Sequence, residues 1–241
     1  MSDTLSARLA GVHARIEAAA RRSGRDGGEV TLVAVSKTHP WESIQEALDA
    51  GQIVFGENRV QEAKAKIPLL PGRARWHLIG HLQKNKIRAA LPLFELIHSV
   101  DTVELAKDIN RIAGELGLYP RVLLEVNVAG EASKFGFQPQ KLVESFESLL
   151  ALDRLEIEGL MTIAPFVENP EEARPFFVGL RELRDRLQSQ FKVQLPQLSM
   201  GMSGDFEIAV EEGATLVRVG TAIFGHRSAK ALKLSESPDT P

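Results

Sequence analysis

Thr31-Leu32-Val33-Ala34-Val35-Ser36-Lys37 is a short apolar run that ends on a lysine, and a helical pattern begins a few residues later at Trp41. A run of this length, rich in valine and bounded by polar residues, reads as a buried strand. Further runs of the same kind predict strands over 53–56, 75–79, 96–99, 121–127, 156–162, 197–200 and 215–219. Helical patterns lie between them, over 41–50, 58–67, 82–90, 102–116, 139–151, 170–190 and 203–212. Pro40 before the first of these and Gly51 after it form a Pro-first, Gly-last signature. Asp101 and Ser203 stand where amino-terminal caps are expected. Upstream, Leu5, Leu9, Val12, Ile16, Ala19 and Ala20 recur at helical spacing and predict one more amphipathic helix over 4–23.

Strands that alternate with helices point to a parallel sheet. A (β/α)8 barrel of the TIM type needs about 250 residues, close to the 241 present. A doubly wound sheet is the rival. It usually carries a glycine-rich turn after its first strand, and here that turn is Lys37-Thr38-His39-Pro40. The expected architecture is therefore a single-domain α/β barrel with an extra amino-terminal helix, covering residues 1–227. Residues 228–241 read as the end of a carboxyl-terminal helix and a flexible tail.

The composition is that of an ordinary soluble protein, 44% hydrophobic and 25% charged. A formal charge of −3 gives no electrostatic footprint for nucleic acid or an anionic membrane. The chain has no cysteine, which excludes disulfides, thiolate metal sites and cysteine nucleophiles. Neither a signal peptide nor an apolar stretch long enough to span a bilayer is present, so a cytoplasmic protein is expected.

Barrel enzymes place their sites at the carboxyl ends of the strands. That rule gathers Lys37, Glu57-Asn58-Arg59, Gly80-His81, Ser99-Val100-Asp101, Asn127, Met161-Thr162, Met200–Gly204 and Arg218–Thr221 into one constellation. A lysine amine in dry surroundings is biased towards its neutral form, and such an amine condenses with aldehydes and ketones. The loops after the last two strands of a barrel commonly build a phosphate site. Here they supply Ser203-Gly204, read as opening a helix, and Gly220-Thr221. Taken singly these residues are a cap and a turn; in adjacent loops they point to an anion site. Arg218 lies between Val217 and Val219, so it faces the barrel mouth if they face outward. It is read equally as an ion-pair partner of Glu57 or Glu125 and as a ligand contact. His77 and His81 straddle a strand end, which argues against a helical metal site. His39 and His98 read as solvent-facing or satisfied core residues, and Lys134-Phe135-Gly136-Phe137 as a packed turn or a loop over the mouth.

A reactive lysine facing a phosphate pocket describes a site for pyridoxal 5′-phosphate. The chain resembles the pyridoxal phosphate homeostasis proteins (the YggS or PROSC family) in stretches that run from the first strand to the last. These include Leu32–Thr38, Phe55-Gly56-Glu57-Asn58-Arg59-Val60-Gln61-Glu62, Trp76–Lys86, His98–Asp101, Glu125-Val126-Asn127, Lys134-Phe135-Gly136, Gly159–Thr162, Leu198–Phe206 and Val217–Gly225. The resemblance implies a fold-type III barrel, like the amino-terminal domain of alanine racemase, that carries the cofactor as an internal aldimine on Lys37. It also implies that Ser203, Gly204, Gly220 and Thr221 hold the phosphate, that Arg218 meets the pyridine nitrogen, and that Asn58 lies beside the ring.

A guanidinium is always a donor, so a ring nitrogen facing it stays unprotonated and the ring is a poor electron sink. Racemisation would also need a second acid–base group, which in alanine racemase is a tyrosine from another domain. The only tyrosine here, Tyr119, precedes the fifth strand at the wrong end of the barrel. The expected function is therefore vitamin B6 homeostasis without strong catalysis: a monomeric carrier that buffers the cofactor and delivers it to apo enzymes. A low-activity amino-acid racemase is the alternative, and a cofactor-free aldolase using His81 or Asp101 is a third reading.

Overall fold

The computed structural model describes residues 4–131 and 135–225, so the readings of Lys134 and of residues 228–241 lie outside the described residues. Strands β1 (Thr31–Val35), β2 (Val54–Glu57), β3 (Arg75–Leu78), β4 (Leu96–Val100), β5 (Arg121–Glu125), β6 (Glu156–Met161), β7 (Gln197–Ser199) and β8 (Leu216–Val219) form a closed barrel in sequence order. Each is parallel to the next, and β8 pairs with β1 to close the ring. Outside lie α1 (Leu5–Arg22), α2 (Trp41–Asp49), α3 (Val60–Lys66), α4 (Ile87–Ala90), α5 (Val103–Leu116), α6 (Pro139–Leu150), α7 (Arg174–Phe191), α8 (Phe206–Glu211) and α9 (Thr221–Phe224). All the expected strands are present, and the barrel with its extra leading helix is the observed fold.

The two-residue period of each strand sorts side chains into two cores. Leu32, Ala34, Phe55, Leu78, Ile97, Val217 and Val219 point outward and pack under the helices. Val33, Val35, Ile79, Leu96, Leu123, Met161 and Leu216 fill the inside. Each fully buried side chain of this size contributes about 1.5–3 kcal/mol. The inside is not wholly apolar. Around the amino ends of the strands, Glu95 bonds both Arg75 and Arg121, and Arg121 also bonds Glu158, closing that end with ionic pairs. Gly159 lets β6 approach β7: a Cβ there would sit 1.9 Å from the Gln197 carbonyl oxygen.

Two caps differ from the expectation. The α5 cap is Thr102, whose hydroxyl accepts from the Leu105 N–H at 3.1 Å; Asp101 is one residue too early and bonds His81 instead. Helix α8 starts at Phe206, so Ser203 is not its cap and Ser203-Gly204 form a turn ahead of it. Asp205 holds the cap position, and its carboxylate accepts from the Met202 N–H.

Helix α1 starts at Thr4, which accepts from the Ala7 N–H, and buries the expected stripe from Leu5 to Ala20. It packs on α8 and α9. Arg8 Nε donates to the Ile223 carbonyl of α9 at 2.7 Å, and Arg15 and Arg22 pair with Glu207 and Glu211 of α8.

Candidate ligand site at the barrel mouth

Strand β1 ends at Val35, and Lys37 stands in the turn two residues later, half-buried at the carboxyl end of the barrel. The turn is strained. Thr38 has φ 65°, a left-handed conformation that a β-branched residue rarely adopts and that costs on the order of 1–3 kcal/mol. Its N–H donates to Glu62 Oε2 at 3.0 Å, and its buried hydroxyl finds no partner among the described residues. On the other side of Lys37, Ser36 donates from its hydroxyl to Glu57 Oε1 at 2.7 Å. Lys66, at the end of α3, reaches beneath this turn and donates to the Ser36 carbonyl, Glu57 Oε1 and Glu62 Oε2 at 3.1, 2.9 and 3.3 Å. Burial raises the Glu57 carboxyl above its usual value, and the Lys66 ammonium opposes that rise.

Across the mouth, the loop after β7 runs alongside the loop after β8. Gly220 N–H donates to Ser203 Oγ at 3.3 Å, tying the two loops together. A Cβ on Gly220 would come within 3.3 Å of Val35 Cβ and of the Val35 carbonyl oxygen, so glycine seats this loop against β1. A Cβ on Gly204 would meet nothing within 4 Å, so this residue faces open space. Among the described residues, the amides of Ser203, Gly204, Thr221 and Ala222 donate to no protein acceptor. Because α8 and α9 are only 6 and 4 residues long, attraction for an anion here comes from these local N–H groups rather than from long helix dipoles.

Arg218 points inward from β8 and is only 4% exposed. It is not paired with Glu57, which is taken by Lys66, nor within ion-pair reach of Glu125. Its Nη1 donates to Ser199 Oγ at 2.5 Å and its Nη2 to the Thr162 carbonyl at 2.8 Å, both neutral acceptors. Three of the five guanidinium donors therefore have no acceptor among the described residues. Burial pulls its pKa down to about 10, leaving it a cation at neutral pH. Behind it runs a buried column: Ser199 Oγ lies 2.8 Å from His98 Nδ1, and His98 Nε2 lies 3.0 Å from His77 Nδ1. Burial lowers His77 to about 4 and His98 well below its usual value, so both rings are neutral at pH 7.

The remaining wall carries Asn58, seated by Gly80, where a Cβ would fall 2.4 Å from the Asn58 carbonyl oxygen. Beyond it opens a cleft of about 390 Å³ lined by Asn58, Arg59, Gln61, Gly80, His81 and Lys86. His81 is oriented by Asp101, whose Oδ2 lies 3.0 Å from its Nδ1, and it stacks on Phe135 with ring centroids 4.0 Å apart. Burial and the nearby Asp101 carboxylate push Glu125 up to about 7, against the pull of Arg218.

Lys37, Asn58, Ser203, Gly204, Arg218, Gly220 and Thr221 thus all stand at one end of one barrel. A phosphorylated, planar aldehyde fits the arrangement: amide donors for the anion in the paired loops, a buried cation with donors to spare, and a lysine in the facing turn. What the sequence reading missed is Lys66 and Glu62 beneath Lys37, and the Ser199–His98–His77 column behind Arg218. The i, i+4 spacing of Glu62 and Lys66 was the available signal for the first. A histidine inside each of two neighbouring strands was the signal for the second.

The barrel and its mouth place the chain in the class of proteins built on the alanine racemase amino-terminal domain, and that family matches residues 8–228. A pyridoxal phosphate homeostasis protein of Aquifex aeolicus is 49% identical over 91% of this chain and 97% of its own length. The chain belongs to the pyridoxal phosphate homeostasis protein family. The structure of PipY from Synechococcus elongatus with PLP bound is 43% identical, covers 92% of this chain and 100% of its own, and superposes with a TM-score of 0.81. The alanine racemase of Clostridium difficile, 16% identical, shares the fold over 95% of this chain and 58% of its own with a TM-score of 0.73.

Proposed function

We propose that this chain binds pyridoxal 5′-phosphate covalently through Lys37 and serves as a cytoplasmic, monomeric store that delivers the cofactor to apo enzymes without strong catalysis of its own. The PLP held by PipY and the shared name of the relatives support this reading. The observation that carries it is Arg218, a buried cation anchored among the described residues only by neutral acceptors, with three donors unspent there. Such a group is costly unless a ligand takes up its donors.

Bound, the cofactor supplies an aldehyde that condenses with a primary amine, with loss of water. Lys37 Nζ is the amine assigned to it. The unpaired amides of Ser203, Gly204, Thr221 and Ala222, with the hydroxyls of Ser203 and Thr221, are assigned to the phosphate. Asn58 is assigned to the side of the ring. Arg218 can only donate, so a ring nitrogen set against it stays unprotonated and draws electrons weakly. Tyr119 is 56% exposed at the amino end of β5, with Arg154 over its ring, and is remote from this chemistry. Storage is favoured over turnover on these grounds.

Protein made with abundant pyridoxal phosphate is expected to be yellow, and borohydride is expected to fix one adduct that maps to Lys37 and is lost in Lys37→Ala. A colourless product with no adduct on Lys37 would sink the cofactor reading. Robust formation of D-amino acids that depends on Lys37 would replace storage with racemisation. Transfer to an apo enzyme no faster than from free cofactor would remove delivery.

A further inference from the structure

A second lysine, Lys66, reaches the turn that carries Lys37, and the site described above uses only Lys37. Lys66 Nζ has three N–H donors and three acceptors: the Ser36 carbonyl, Glu57 Oε1 and Glu62 Oε2. Its side chain is 13% exposed, so water competes little for these bonds. Two of its acceptors flank Lys37. The Ser36 carbonyl belongs to the residue before it, and Glu62 also accepts the N–H of Thr38, the residue after it. Thr38 is the residue held in the left-handed conformation, and its hydroxyl gains no bond there among the described residues. Besides the His39 N–H donated to the Ser36 carbonyl, the turn is held by the carboxylate that Lys66 anchors rather than by the Thr38 side chain.

We propose that Lys66 and Glu62 are positioning residues for Lys37: they lock the backbone on both sides of it, and the same bonds keep the Lys66 amine occupied, so that it takes no part in carbonyl chemistry. The clamp explains how a site with a second lysine on the same turn directs a reactive aldehyde to Lys37. An amine must hold a free lone pair to attack a carbonyl carbon. Three oxygen acceptors already surround Lys66 Nζ, so a carbonyl carbon would have to displace one of them to reach it. Glu57 closes the network from below; it is fully buried and bonds both Ser36 and Lys66. The assignment rests on the reading that Lys37 is the reacting amine.

The test uses the full chain in ligand-free and loaded forms. In the ligand-free protein, amide exchange at Thr38 is expected to accelerate about tenfold in Glu62→Ala, the loss of one charge-assisted bond. Trace acetylation mapped by mass spectrometry is expected to mark Lys66 weakly in the wild type and about tenfold more in Glu62→Ala. On mixing with pyridoxal phosphate, the borohydride-trapped adduct on Lys37 is expected to form about tenfold more slowly in both Lys66→Met and Glu62→Ala. Lys66→Arg, which can reach the same acceptors, is expected to restore most of the rate. Should Lys66→Met fail to fold, the less buried Glu62 position decides alone. Adduct formation at the wild-type rate in Glu62→Ala, or a Lys66 that acetylates like a surface lysine in the wild type, would overturn the proposal. Absence of any wild-type adduct on Lys37 would instead remove the cofactor reading, while exchange and acetylation would still report on the clamp.

Discussion

Glu125 offers a test in which the sign of a pH effect follows from the site. Its carboxyl is buried at the end of β5, beside Asp101, and is pushed from 4.5 up to about 7. A carboxyl whose folded pKa lies above its unfolded one favours the fold while protonated. That contribution is complete below about pH 4.5 and is lost as pH rises through 7. Each pH unit in this window is worth about 1.4 kcal/mol, so Glu125 makes the ligand-free protein about 3 kcal/mol less stable at pH 8 than at pH 4. His77 works in the opposite direction. Its folded pKa is lowered to about 4, so its contribution is present above pH 6.5 and is lost as pH falls through 4. The two slopes oppose each other where their windows overlap, and His98, Glu57 and Asp205 are shifted as well, so the reading is the difference between wild type and variant rather than the wild-type slope. Glu125→Gln removes one of them. Urea denaturation of ligand-free wild type and variant should show the variant gaining stability relative to wild type as pH rises from about 4.5 to 7, by up to about 3 kcal/mol. A wild-type-to-variant difference that is flat across that range would refute the reasoning.

Two further outcomes follow from the geometry of the mouth. Gly80→Ala places a methyl 2.4 Å from the Asn58 carbonyl oxygen, so Asn58 must move; cofactor affinity, measured by absorbance titration, is expected to fall at least about tenfold, with overpacking costing about 1–3 kcal/mol of stability. Arg218→Met exchanges a buried cation with no carboxylate partner among the described residues for an apolar side chain of similar length. Its ligand-free melting temperature is expected to hold or rise, while the affinity for pyridoxal phosphate collapses.

The barrel was legible because parallel strands under helices must be apolar on their outer face, and 31–35, 96–100 and 121–125 carry little else. Lys37 and Arg218 stood out for the same reason, as charges against an apolar background. The caps were harder. Asp101 and Thr102 are both good capping residues in adjacent positions, and only the pull of His81 on Asp101 decides between them. Ser203 precedes Asp205 by two residues, and a turn of that length has no periodicity to read. The choice of Lys66 over Arg218 as the partner of Glu57 depends on where α3 turns back beneath β1, which strand alternation does not report. The His98–Ser199 contact joins residues 101 apart in the chain, a distance no local pattern spans.

Helix α1 lies outside the barrel but not outside the binding site's thermodynamics. It grips α9 through Arg8 and α8 through Arg15 and Arg22, and the amides left without a protein acceptor among the described residues lie in the turn before α8 and at the start of α9. If the cofactor's phosphate sits on those amides, as proposed, its occupancy and the docking of the helix stabilise the same arrangement, and linkage makes the effect reciprocal. Under that assignment, a molecule that pried α1 from α8 would weaken the hold on the cofactor without touching it, and release would be commanded from the back of the barrel.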